Sequence, residues 1–205
     1  MARLIHGLGV NDIKEATEQV ISGKRRRNRD YACWVGMINR CYYNGHPAYD
    51  NKTVCTDWKY FSNFKLWFNT QVYYEGLQLD KDIIFKGNTE YSPLTCAFVP
   101  TCINTLLGNG GSKEDRKLPL GVAKKGSKYR ADIQEFGTGK AWLGSFFTAK
   151  EAHKAWQWSK ARQIEKAVAW YVTQKCFRID VAEALTKRVW QLRLDHTTGV
   201  ETLNL

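Results

Sequence analysis

The 205-residue chain has no apolar run approaching the roughly 20 residues that a membrane-spanning helix needs. Its opening residues, MARLIHGLGVNDIKEA, contain neither a signal-like apolar core nor a small-residue cleavage site. Together these absences exclude a helical channel or transporter and point to a soluble, cytoplasmic protein. No Cys-x-x-Cys pair occurs, so the six cysteines do not form a zinc-ribbon pattern. In a reducing compartment they read as buried thiols or metal ligands rather than disulfides. Cys41, Cys55 and Cys96 fall in the aromatic-rich half and could converge on a structural Zn²⁺; small buried hydrophobes are the plainer reading. No internal repeat is present. Acidic residues are short as well, at 20 against 31 Lys and Arg, a net charge of +11. That imbalance favours a polyanionic partner, nucleic acid before membrane.

What the chain does have is core-building material. Hydrophobic residues make up 43%, with eight Trp, ten Tyr and nine Phe, which argues against global disorder. Ile13, Ala16 and Val20 recur at helical spacing, predicting a short helix over residues 11–21. The run GKRRRNRD follows, in which Arg25, Arg26 and Arg27 form either a phosphate-contacting arm or a solvated charge run. Two further helices are expected over 34–43 and 57–68. In the second, Trp58, Phe61, Phe64 and Phe68 step by three and four, which reads as core rather than as a base-stacking platform.

Residues 77–99 have strand-and-turn character, with Gly87-Asn88 as a hairpin-type turn signal and CAFV as a returning strand. PTCINTLL opens a short helix with Pro100 near its first turn. GNGGSKEDRKLP, residues 108–119, is the best linker candidate. Beyond it come three short strands, LGVAKK, KYRADIQ and AWLGSF, and then a long helical pattern. Thr148 and Glu151 have capping-box spacing at its start. DVAEALTKRV suggests one more helix and WQLRL a terminal strand.

In KYRADIQ, Tyr129, Ala131 and Ile133 alternate with Arg130, Asp132 and Gln134. Period two places the first set on a face covered by the long helix and the second on an open face. A cation, an acid and an amide there can address base edges or phosphates. From Arg116 to Arg130 there are six basic residues and no acidic one. The pieces Gly121-Val122, Ala131-Asp132-Ile133, Trp142-Leu143-Gly144 with Phe146, and Thr148 through Trp156 resemble the ethylene-response-factor (APETALA-type) DNA-binding domain. That resemblance implies three antiparallel strands packed on one helix, with the sheet in the major groove of double-stranded DNA. It implies DNA contacts from Lys124, Lys125, Arg130, Gln134, Lys140 and Trp142. The chain departs from the family at Leu120, Ala123 and Gln134, where arginine is favoured, so sequence preference does not carry over.

The N-terminal half carries a second, looser resemblance. The blocks Trp34 to Tyr42, VCTDWKYFSNF, LDKD, YSPLTCAFVP and Ile103-Asn104 are similar to a phage-type HNH homing endonuclease. That family builds its site from a β-hairpin and a helix around one divalent metal. The resemblance puts Asp80 at the metal-binding Asp, Lys81 at the water-activating His, Thr95 at the middle Asn and Asn104 at the helical Asn. Asp82 and Asn88 are near enough to substitute or assist. Hard Mg²⁺ or Mn²⁺ suits such carboxylate and amide oxygens. Lysine is a poor base unless its pKa falls by about three units. If LDKD stays a strand, Asp80 and Asp82 share one face as the metal pair and Lys81 points the other way. Tyr91 and the loop residue His46 are the other candidates for the base.

The expected fold class is therefore α+β: an HNH-like domain over 1–107, a linker over 108–119, and a sheet-and-helix DNA-binding domain over 120–205 with a helical extension. The expected function is a metal-dependent DNA endonuclease of the homing type, cytoplasmic in a bacterial host. The alternative is a catalytically inactive DNA-binding regulator or decoy on the same scaffold.

Overall fold

The computed structural model describes residues 4–45, 47–108 and 117–205. His46 and most of the expected linker lie outside them. The chain is α+β and divides into two compact units, residues 1–98 and 99–205. The division falls ahead of the Gly-rich segment, so the short helix after Pro100 belongs with the second unit.

In the first unit, residues 11–21 are not a helix. Val10 pairs with the Lys59–Phe61 backbone, and the Asp12 carboxylate accepts the Ser62 amide at 2.9 Å. The segment thus lies along the start of another helix, and Val20, 69% exposed, has no core to enter. Strand β1 (Glu18–Ile21) instead pairs antiparallel with β2 (Lys24–Arg27). Ser22 and Gly23, at φ of 50° and 74°, form the two-residue turn between them. Helices α1 (Arg29–Tyr42) and α2 (Phe61–Asn69) follow. Trp34, Trp58, Phe61 and Phe64 are buried between them, and the Trp34 indole donates to the Trp58 carbonyl at 2.7 Å. Gly9 allows this packing, because a Cβ there would sit 2.9 Å from the Trp34 ring. Strand β3 (Thr53–Val54) pairs in parallel with β5 (Glu90–Tyr91). Between them in sequence, β4 (Leu77–Asp80) pairs with β6, the strand that begins at Ala97. Gly87-Asn88 accordingly turns a loop and does not join two paired strands.

In the second unit, α3 (Thr101–Leu106) precedes a three-stranded antiparallel sheet: β7 (Val122–Lys125), β8 (Lys128–Glu135) and β9 (Gly139–Phe146). Helix α4 (Ala149–Tyr171) opens on the Thr148–Glu151 capping box and packs across all three strands. Trp156 meets Gly121 so closely that a Cβ there would lie 1.9 Å from the ring, and φ of +72° independently favours glycine. The other side of α4 packs on α5 (Ile179–Thr198). WQLRL is therefore the last part of a helix, not a strand.

With neighbours on two sides, α4 buries polar residues that need partners. His153 meets the Leu120 carbonyl at 2.9 Å with Nδ1 and accepts the Thr202 amide at 3.0 Å with Nε2. The Thr202 hydroxyl donates to Asp195 at 2.6 Å, and Gln157 donates to Thr202 Oγ1 at 3.0 Å. These bonds fasten residues 200–202 against α4 and α5. Lys160, 4% exposed, donates to the Leu106 carbonyl at 2.5 Å, and burial pulls its pKa down to about 8.

Candidate functional site

The LDKD stretch does not continue as a strand. Strand β4 ends at Asp80, whose Oδ1 accepts the amides of Asp82 at 2.9 Å and Ile83 at 2.7 Å. This is a side-chain-capped turn. It overturns the alternation expected for Asp80, Lys81 and Asp82. Lys81 does not point away from the acids: its Nζ lies 3.0 Å from Asp82 Oδ2 and 5.7 Å from the centre of the Tyr91 ring. Asp80 and Lys81 are buried, while the Asp82 side chain is 45% exposed. Burial first, and the Asp82 charge second, push the Asp80 pKa up to about 6 against the pull of its two backbone hydrogen bonds.

The loop beyond is clamped from two sides. Asn88 donates to the Lys81 carbonyl at 2.7 Å and to the Glu90 carbonyl at 2.6 Å. Thr95 donates to the same Glu90 oxygen at 2.9 Å. Thr95 and Asn88 thus act on one backbone atom, and only Asn88 reaches the residue at the base position.

Tyr91 is 4% exposed, and burial drives its hydroxyl pKa upward despite the opposing charge of Arg40. It stays protonated and does not suit the base role. Arg40 lies 5.7 Å from the Tyr91 ring centre and 5.9 Å from that of Tyr49. Two cations, Arg40 and Lys81, therefore meet one tyrosine ring. Nothing local in the sequence signals this, because Arg40 is far from Lys81 and Tyr91 in the chain. Asn104 lies on α3, directly after β6, in the second unit.

Cys41, Cys55 and Cys96 are free thiols with pKa raised by burial, Cys96 to about 12. Among the described residues no three His, Cys, Asp or Glu side chains gather as a metal-holding group. The donor set at the turn is two neighbouring carboxylates, one desolvated. Burial first and the Asp82 charge second raise the Asp80 pKa, and a hard divalent cation relieves both by supplying a compensating charge.

The β7–β9 face is built differently. Tyr129, Ala131 and Ile133 turn toward α4, and Arg130, Asp132 and Gln134 turn away, as period two requires. Register then sorts their neighbours. Ala123 and Ser145 flank Arg130, Lys140 stands opposite Gln134, and Trp142 stands opposite Asp132. A β-bulge makes the last pairing possible. Ala131 pairs with Gly144 but Asp132 with Trp142, so Leu143 is the extra residue. Without it Trp142 would face α4; with it the indole is 65% exposed. Lys125 shares the open face through its pairing with Lys128. Lys124 does not: it pairs with Tyr129, on the helix-backed side, where it is nevertheless exposed. The same parity brings Lys128 onto the open face, a residue that counting by twos from Arg130 would have found. Its Nζ lies 4.9 Å from the ring centre of Phe147, itself 76% exposed. Arg130 and Asp132 form a half-exposed ion pair at 2.7 Å.

A third cationic feature is the β1–β2 ribbon. All eight of its residues are exposed, with Arg25 and Arg27 on one face and Lys24 and Arg26 on the other. No described helix is long and apolar enough to cross a membrane. Compared with known proteins, the chain matches no family model, no curated sequence and no solved structure.

Proposed function

We propose that the chain binds double-stranded DNA through the open β7–β9 face and cuts it at a metal site centred on the Asp80 turn. The observation that carries the binding half is the bulge at Leu143, which turns Trp142 outward onto the face that also carries Arg130, Gln134, Lys140 and Lys125. An exposed aromatic among cations is the combination that meets phosphates and bases together. Arg25, Arg26 and Arg27 add phosphate contacts from the exposed ribbon.

The cutting half rests on chain order and chemistry. A strand ends in Asp80-Lys81-Asp82, and a clamped loop, a paired strand and the Asn104 helix follow. Asp80 and Asp82 supply carboxylate oxygens for Mg²⁺ or Mn²⁺. Such an ion stabilises charge on a phosphodiester under attack. Lys81 fixes the turn through Asp82 and so holds the acids in place, acting in the cytoplasm on DNA that the second unit selects. A second reading, DNA binding without cutting, is favoured by the Lys81–Asp82 ion pair at the position where a free base belongs.

Plasmid incubated with Mg²⁺ or Mn²⁺, with wild type beside Asp80→Asn, separates the two. Metal-dependent nicking lost in the variant supports the nuclease. DNA binding without nicking by either protein supports the second reading.

A further inference from the structure

Helix α5 has a buried stripe and an opposite stripe that no described residue covers. Leu185, Val189 and Leu192 are buried where the helix runs along α4. On the other stripe Ile179, Trp190 and Leu194 are 67%, 73% and 58% exposed. Together with Glu183, Thr186 and Lys187 they line an open groove of about 680 Å³. Large apolar side chains clustered in this way mark an interaction surface.

The electrostatics argue against nucleic acid as the occupant. The chain carries a net +11, yet α5 is neutral, with Asp180, Glu183 and Asp195 matched by Lys187, Arg188 and Arg193. The order of residues along the groove identifies a better one. The stripe is its own complement when reversed about the point between Thr186 and Lys187. Ile179 then faces Leu194, Glu183 faces Trp190, and Thr186 faces Lys187. Ala182 faces Gln191, so the bulkiest side chain, Trp190, comes to lie beside the smallest. Two antiparallel copies of α5 would make every one of these contacts twice, which defines a two-fold, isologous interface. Lys187 of each copy also falls one helical turn from Glu183 of the other, so neither charge is covered without an opposite one.

We propose that this face joins two copies of the chain as an antiparallel α5–α5 pair. The matched stripe is about 22 Å long at 1.5 Å per residue. A single helix pair of that length is smaller than the roughly 1,600 Å² of a standard interface, so dissociation in the micromolar range is expected. The inference does not depend on the nuclease reading. Where that reading holds, the pair brings two copies of the nuclease to one DNA.

Sedimentation equilibrium of the full chain, from about 1 to 200 μM, tests it in the absence of DNA. Wild type should rise from one chain mass to two. Trp190→Glu should stay monomeric at tenfold higher concentration, because the new carboxylate faces Glu183 of the other copy. Trp190→Lys should dimerise more readily than Trp190→Glu, although it raises the net charge of an already basic protein. Residue 190 is exposed, so both variants should keep the wild-type circular dichroism. A wild type that stays monomeric throughout the range overturns the proposal and leaves the groove to a different partner. So does Trp190→Glu dimerising like wild type, or weaker pairing by the Lys variant than by the Glu variant.

Discussion

At Lys81–Asp82 and at Arg130–Asp132 the chain sets a cation beside an acid, in opposite surroundings. The Lys81 side chain is 8% exposed and its neighbour Asp80 is tied to two backbone amides, whereas the Arg130 side chain is 41% exposed. An exposed pair of the second kind is worth at most about 1 kcal/mol, so Arg130 can exchange Asp132 for a phosphate at little cost. Lys81 cannot leave Asp82 without stranding a buried charge, which costs several kcal/mol. The same pairing of a cation with an aspartate therefore makes a fixture in one unit and an available contact in the other. Charge in a sequence becomes a ligand only where the fold leaves it exchangeable.

The widest test of this contrast is Asp80→Asn. The amide oxygen still accepts the turn's two N–H bonds, but a metal-binding charge is gone. Nicking should fall by about 100-fold or more while DNA affinity, measured by gel shift, stays within about twofold. Comparable losses of binding and cutting would mean the turn also carries the DNA contact. Next in size, Arg130→Ala and Trp142→Ala should each weaken DNA binding about 10- to 100-fold without lowering the melting temperature, since both side chains face solvent. Full affinity in both would place the DNA on another surface. Replacing Arg25, Arg26 and Arg27 together by Gln should flatten the salt dependence of binding by about three units of slope, read from titrations at several salt concentrations.

The smallest expected effect is on stability. The Asp80 pKa is raised from 3.8 to about 6 in the folded chain, so the folded state holds a proton that the unfolded state releases between those values. Its contribution is fully present below pH 3.8 and is lost as pH rises through about 6. Asp80→Asn should therefore be more stable than wild type at pH 7, by about 1–3 kcal/mol, with the gap closing toward pH 4. Mg²⁺ should raise the wild-type melting temperature at pH 7 and leave the variant unmoved.

The β7–β9 sheet was legible because alternation is a local property: Tyr129 to Gln134 declare their faces without help from the rest of the chain. The Thr148 capping box was legible for the same reason. The LDKD stretch was not, because where a strand stops depends on which backbone amides Asp80 captures. Ile13, Ala16 and Val20 have true helical spacing, but Val10 and Asp12 gain more by lying along α2. WQLRL misled through coincidence. Trp190, Leu192 and Leu194 alternate as a strand would, while on the helix Leu192 turns to α4 and the other two turn to solvent. Lys124 and Lys128 could have been placed only with the strand register in hand. The Arg40–Tyr91–Lys81 grouping brings Arg40 in from far along the chain and leaves no trace in any short window.

Helix α4 has a consequence for the target itself. It packs on the sheet with one side and on α5 with the other, within one compact unit. The surface that would meet DNA and the surface that would meet a second copy are thus set at a fixed offset by one rigid rod. A protein paired through α5 would then recognise an inverted repeat, with its half-sites in a single rotational phase. Inserting about five base pairs between them, half a helical turn, would put the second half-site on the wrong side of the duplex.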